Sequence, residues 1–91
     1  MSDAVRDNTA LHRFELDVEG ATAFSDYRRS SDVLTIMHTE VPPALNGKGV
    51  GSRLAHGLLD LARAERARVK PLCPFLRSYI AKHPEYADLV A

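Results

Sequence analysis

The stretch EVPPALNGKGVGSRL, Glu40 to Leu54, sets two prolines and then glycines at every second position in front of an apolar helical pattern. Pro42 and Pro43 cannot donate to a ladder, so a strand running up to Val41 is expected to part there from a neighbour. Gly47, Gly49 and Gly51 strip side chains from the turn that follows. Backbone N–H groups can then approach a bulky anion, and a helix N-terminus adds about half a positive charge. Downstream the apolar period becomes 3.6: Val50, Leu54, Leu58, Leu61 and Ala62 share one stripe, which predicts an amphipathic helix from Gly49 to about Ala67. The loop thus leaves a strand and opens a helix, the outline of a phosphate site. A Walker loop would need a Lys followed by Ser or Thr, whereas Lys48 stands between glycines; a dinucleotide fold would need a parallel unit near the start of the chain. A glycine-softened loop with no ligand is the competing reading.

Upstream, His12, Phe14, Leu16 and Val18 alternate with Arg13, Glu15 and Asp17, the period of a strand with one wet face. Glu19-Gly20 turns the chain into ATAFSDYRR, and Arg29 to Asp32 turns it again into VLTIMHTEV, Val33 to Val41, apolar enough to be a central strand. Three sequential strands make an antiparallel meander. Downstream, VKPLC, Val69 to Cys73, reads as a short strand, and Pro74 suits the first position of a second helix that His83-Pro84 ends. A last segment is expected to dock Tyr86, Leu89 and Val90. Residues 1–7 read as a mobile tail and 8–91 as a single domain.

The chain has 91 residues, 45% hydrophobic and 26% charged, which suits one compact domain. Twelve basic residues balance twelve acidic ones, so no long-range field favours nucleic acid or an anionic membrane. No apolar run approaches the roughly 20 residues of a membrane span, and no secretory signal stands at the N-terminus, which makes a cytoplasmic location the default. The single cysteine, Cys73, fits a reducing compartment. His12, His56 and His83 do not form a metal set; His56 is expected on the exposed side of the first helix and His83 as a cap of the second.

NGKGVG resembles the pyrophosphate-binding element of the GNAT superfamily of N-acetyltransferases, [QR]-x-x-G-x-[GA], with Gly49 and Gly51 at the small positions and Asn46 where Gln or Arg is usual. The surroundings are similar too: a meander, the strand, loop and helix of EVPPALNGKGVGSRLAHGLLDLA, then a short strand and CPFLRSYIAKHPEY. The resemblance covers about Leu11 to Val90. It implies an α/β (α+β type) fold with a mainly antiparallel sheet of about four strands, splayed between the last two and packed by two main helices and a short C-terminal segment.

It further implies acetyl-coenzyme A as co-substrate, with no metal. The pyrophosphate would sit over the N–H groups of Asn46, Gly47, Lys48, Gly49, Val50, Gly51 and Ser52, with Lys48 or Arg53 as added charges or as solvated surface residues. Thr39 to Val41 would offer a strand-like edge to the pantetheine amides, placing Val41 near the acetyl carbonyl. For catalysis, Glu40 is a candidate general base beside His38, or else a surface carboxylate. Tyr79 matches the family's proton donor to the coenzyme sulfur, with a buried packing tyrosine as its alternative. Cys73, at the start of the second helix, is either a nucleophile or a small buried apolar residue lining the pocket. Full-sized members place two helices between their first and second strands, where this chain has only Glu19-Gly20. The acceptor side is therefore expected to be open, suited to a protein or peptide amine or to a partner subunit, as in a homodimer, that completes the site. The acceptor itself is not specified. The reading is an N-acetyltransferase; the alternative is a non-catalytic module that binds coenzyme A.

Overall fold

The computed structural model describes residues 4–91. Five strands form one sheet in the order β1-β2-β3-β4-β5: β1 Arg6–Asn8, β2 Arg13–Val18, β3 Ala21–Ser30, β4 Val33–Glu40 and β5 Arg68–Pro71. The first four are antiparallel neighbours, and β5 joins β4 in parallel after the crossover helix α1, Val50–Ala64. A 3-10 turn, Pro43–Leu45, links β4 to α1; α2, Pro74–Lys82, and a 3-10 helix, Pro84–Leu89, follow β5. No helix among the described residues is long and apolar enough to cross a membrane.

The apolar alternation of the strands and the stripe of α1 meet in one core. Phe14 and Leu16 of β2, Ala23 and Tyr27 of β3, and Leu34 and Ile36 of β4 are buried against Val50, Leu54, Leu58, Leu59 and Ala62 of α1. Leu76, Tyr79 and Ile80 of α2 and Tyr86 and Leu89 of the last 3-10 helix join the same cluster. The helices therefore share one face of the sheet. Burying a Leu or Phe side chain contributes about 1.5–3 kcal/mol, so this cluster is the main stabilising term. Beyond Pro84–Leu89, Val90 bridges Val69, and the Ala91 N–H donates to the Val69 carbonyl at 2.8 Å, so β5 is covered on its outer side.

Three expectations need correction. The tail expected over residues 1–7 is a strand from Arg6 onward, while residues 1–3 lie outside the described part. Three polar residues carry no period, but tertiary contacts hold them. Arg6 reaches Glu15 and Asp17, and the Tyr27 hydroxyl donates to Asp7 at 2.6 Å. Burial, reinforced by Asp7, pushes the Tyr27 pKa up to about 12. Next to β1, Val5 lies where a Cβ on Gly57 of α1 would stand, 2.2 Å from Val5 Cγ2, so Gly57 makes room for this segment.

Second, Glu15 falls by alternation on the wet face but is buried, gripped by Arg6 and Arg13 at 2.6 Å each and by Asn8 at 3.2 Å.

Third, the prolines at 42 and 43 do not part the sheet. Pairing of β4 with β5 stops at Ile36 and Pro71, well before Pro42. The cause is a bulge in β4: Asp26 pairs His38 and Tyr27 pairs Ile36, leaving Met37 as the extra residue. A bulge bends its strand and raises its twist. On the β5 side, the Leu72 and Cys73 N–H groups both donate to the Ile36 carbonyl, and the chain leaves for α2. Pro71 breaks nothing, because its backbone nitrogen has the opposite parity to the donors on this side: Arg68 donates to the Asp32 carbonyl just before β4 and Leu72 to the Ile36 carbonyl. Pro42 and Pro43 instead start the 3-10 turn, where a missing N–H costs nothing.

Candidate functional site

The site begins at the N-terminus of α1. Gly49 is the N-cap residue, at φ +69° in the left-handed region, where a non-glycine residue would be strained. It brings no side chain to cap the helix, and no acidic residue stands in the first turn. The first helical bond runs from Arg53 N–H to the Gly49 carbonyl, which leaves the N–H groups of Val50, Gly51 and Ser52 without helical partners. These groups border a hollow of about 250 Å³, lined also by Val41, Leu45, Asn46, Gly47 and Phe75. Unpaired donors aligned with the helix dipole, with no acidic side chain among the described residues that line the hollow, fit a diphosphate.

Among the residues expected to bind a cofactor, Val41, Asn46, Gly47, Gly49, Val50, Gly51 and Ser52 all line this hollow. Lys48 turns aside: its Nζ pairs with Glu19 of the β2–β3 turn at 3.4 Å, a half-exposed pair of small energetic weight. Thr39 stands below, at the splay. Its Oγ1 lies 2.8 Å from Ser25 Oγ and receives the Cys73 thiol at 3.4 Å. Cys73 is buried as the N-cap of α2 without a side-chain capping bond. The three polar atoms tie β3, β4 and the start of α2 together where β4 and β5 separate.

Glu40 and His38 project from one face of β4, Oε1 to Nε2 at 3.2 Å, both well exposed. Their cross-strand partners are Phe24 and Asp26 of β3. The bulge at Met37 puts Thr39 on the core side beside Ser25 and this pair on the opposite, helix-free face.

Tyr79 does not line the anion hollow. It lies on a larger one of about 570 Å³ beside Ser52, Arg53, His56 and Asp60 of α1, and the two hollows meet at Ser52. Its ring stacks on His83 with centroids 3.9 Å apart, and His83 Nδ1 lies 2.8 Å from the Tyr79 carbonyl, so His83 caps α2. Burial, then the charges of Glu85 and Asp60, raise the Tyr79 pKa, which keeps the phenol protonated.

One constellation escaped the sequence reading. His56 and Asp60, one turn apart, lie 3.0 Å apart, and the Tyr86 hydroxyl meets both, donating to Asp60 at 2.9 Å and standing 2.8 Å from His56 Nδ1. Arg63 adds bonds to Asp88 and to the Glu85 carbonyl. The i, i+4 spacing of His56 and Asp60 was a readable signal; Tyr86, 26 residues beyond Asp60, was not. Among the described residues no group of three His, Cys, Asp or Glu side chains is arranged to hold a metal ion.

Comparison with known proteins bears on this geometry. The model of a family described as GCN5-related N-acetyl-transferase matches residues 13–89. Protein NATD1 of Homo sapiens is 31% identical over 52 residues, 57% of this chain and 46% of the relative. The Gallus gallus protein of the same name is 31% identical over 52 residues, and the match spans 47% of its length. The chain thus spans about half the length of these curated relatives. The solution structure of a "GCN5-like putative N-acetyltransferase" from Staphylococcus aureus superposes with a TM-score of 0.72 at 27% identity, covering 100% of this chain and 91% of that one.

Proposed function

The chain belongs to the GCN5-related N-acetyltransferase family, and from that premise we propose that it binds acetyl-coenzyme A and transfers the acetyl group to an amine. The observation that carries the reading is the bare N-terminus of α1, whose Val50, Gly51 and Ser52 N–H groups border a hollow with no acidic residue in the first turn. The thioester supplies an activated acetyl group. Everything else falls to the chain. Val50 to Ser52 hold the diphosphate, Asn46 and Gly47 wall it, and the Thr39–Val41 edge, unpaired toward β5, meets the amides of the pantetheine arm as a neighbouring strand would.

An attacking amine must lose a proton, and Glu40 with His38 takes it from the helix-free face of the sheet. Tyr79 returns a proton to the departing sulfur, a role its raised pKa supports. Cys73, buried under Thr39, serves as a wall of the arm site, with acetyl transfer direct from thioester to amine. The acceptor class is a lysine side chain or peptide terminus, because the β2–β3 connection is the Glu19-Gly20 turn and supplies no helices to enclose a small molecule.

The test incubates the protein with acetyl-coenzyme A and a panel of lysine peptides and small amines while free thiol is followed. Glu40→Gln and Tyr79→Phe are each expected to slow release by about 10²-fold with binding retained. An acid-quenched mass spectrum should show no acetyl adduct on Cys73. Binding without thiol release for any acceptor would reduce the protein to a coenzyme-binding module, and absence of binding at millimolar ligand would overturn both.

A further inference from the structure

Gly51 has no left-handed backbone to explain it; its positive-φ neighbours are Gly47 and Gly49. Its reason is space. A Cβ at Gly51 would stand 2.9 Å from Phe75 Cζ and 3.4 and 3.5 Å from the two Cε atoms, so the ring of Phe75 points edge-on at the first turn of α1. Phe75 is itself unusual: the second residue of α2, it keeps 41% of its surface exposed although large and apolar. It lines the anion hollow together with Val41 and Gly51. Its backbone is fixed from below, because Cys73, two residues earlier, is bonded to Thr39 of β4 and to the Ile36 carbonyl.

The ring thus stands between the diphosphate donors of α1 and the strand edge that ends at Val41, with one side to solvent. Resting on the coenzyme reading above, we propose that Phe75 is the specificity-determining wall of this site. It recognises the branched, gem-dimethyl segment that follows the pyrophosphate in coenzyme A, and Gly51 is small so that the ring can be seated there. A nucleoside diphosphate ends where that segment begins and gains nothing from the ring. Selection for coenzyme A over nucleotides then comes from apolar contact with Phe75, and anion affinity comes from α1.

Calorimetric titration of the intact protein with acetyl-coenzyme A and with ADP tests this. In Phe75→Ala the affinity for acetyl-coenzyme A should fall about tenfold, the size expected for one lost aromatic contact, while that for ADP stays within twofold. Phe75→Leu should keep most of the affinity. Gly51→Ala should weaken acetyl-coenzyme A binding by displacing the exposed ring, and the double variant Gly51→Ala/Phe75→Ala should bind no worse than Phe75→Ala. Thermal melting of each variant checks folding. Equal loss for both ligands in Phe75→Ala, or no loss for either, overturns the assignment of Phe75 while leaving the coenzyme site standing. A wild-type protein that binds neither ligand overturns the coenzyme reading itself.

Discussion

Glu15 lies on the face of β2 that the alternation assigns to water, yet it is 3% exposed. Burial alone pushes its carboxyl up, but hydrogen bonds from Arg13 and Asn8 and the charges of Arg13 and Arg6 outweigh that and hold it below the ordinary carboxylate range. The sign follows from linkage. A depressed folded-state pKa gives stability that is complete above the unfolded value, about 4.3, and is lost as pH falls through the folded value. Glu15→Gln is expected to cost about 1–3 kcal/mol at neutral pH, because charge-assisted bonds are replaced by weaker ones while the guanidinium groups stay partly wet. Urea melts at pH 7 and pH 3 check it: the gap between wild type and variant should shrink at the lower pH. The sequence shows Glu15 as one of an alternating polar set and holds no sign that Arg6, nine residues earlier, will cover it.

At the scale of elements, the meander and α1 were legible because each is long enough to repeat its period. Phe14 and Leu16 mark two turns of the strand pattern, and Val50, Leu54 and Leu58 mark three of the helix. β1 was not legible, since three residues cannot display a period of two against a polar background. The bulge at Met37 was equally silent: VLTIMHTEV reads as one unbroken strand, and the extra residue shows only once β3 is laid beside it. Its effect is large, since a one-residue change of register exchanges the faces of everything after it. Deleting Met37 should therefore remove the bend while His38, Thr39 and Glu40 keep their partners Asp26, Ser25 and Phe24, and straighten β4 along β5, closing the splay. Acetyl-coenzyme A binding is expected to drop beyond detection by calorimetry while the far-ultraviolet circular dichroism stays close to wild type. Binding at unchanged affinity would show that the splay does not depend on the bulge.

At the scale of the whole molecule, the anion hollow was the most legible part of the site, because all its walls but Phe75 come from one continuous run, Val41 to Ser52. The location of Tyr79 was not, since it depends on how α2 leans on α1. The same docking brings the Tyr86 hydroxyl to His56 and Asp60, where burial and the bond to Asp60 drive the phenol pKa far above its usual value. Tyr86→Phe removes both bonds and leaves Asp60 and His56 half in water, so a cost of about 1–2 kcal/mol is expected. Thermal melting reads the stability, and hydrogen exchange should show the Pro84–Leu89 segment opening first. A melting temperature unchanged from wild type would mean that the Arg63 bonds and the apolar packing of residue 86 and Leu89 suffice to hold this segment to α1.

The pairing of Val69 with Val90 and Ala91 bears on solubility as well as on the fold. A sheet of five strands presents two outer rows of backbone groups, each a template for another chain. β1 is blunted by its shortness and by Arg6 and Asp7, whereas β5 carries Val69 and depends on the residues after Leu89 for its cover. Removing Val90 and Ala91, neither of which lines the anion hollow, is expected to turn β5 into an adhesive edge, read as concentration-dependent light scattering. The backbone groups on the outer side of Val69 thus owe their protection from other chains to Val90 and Ala91.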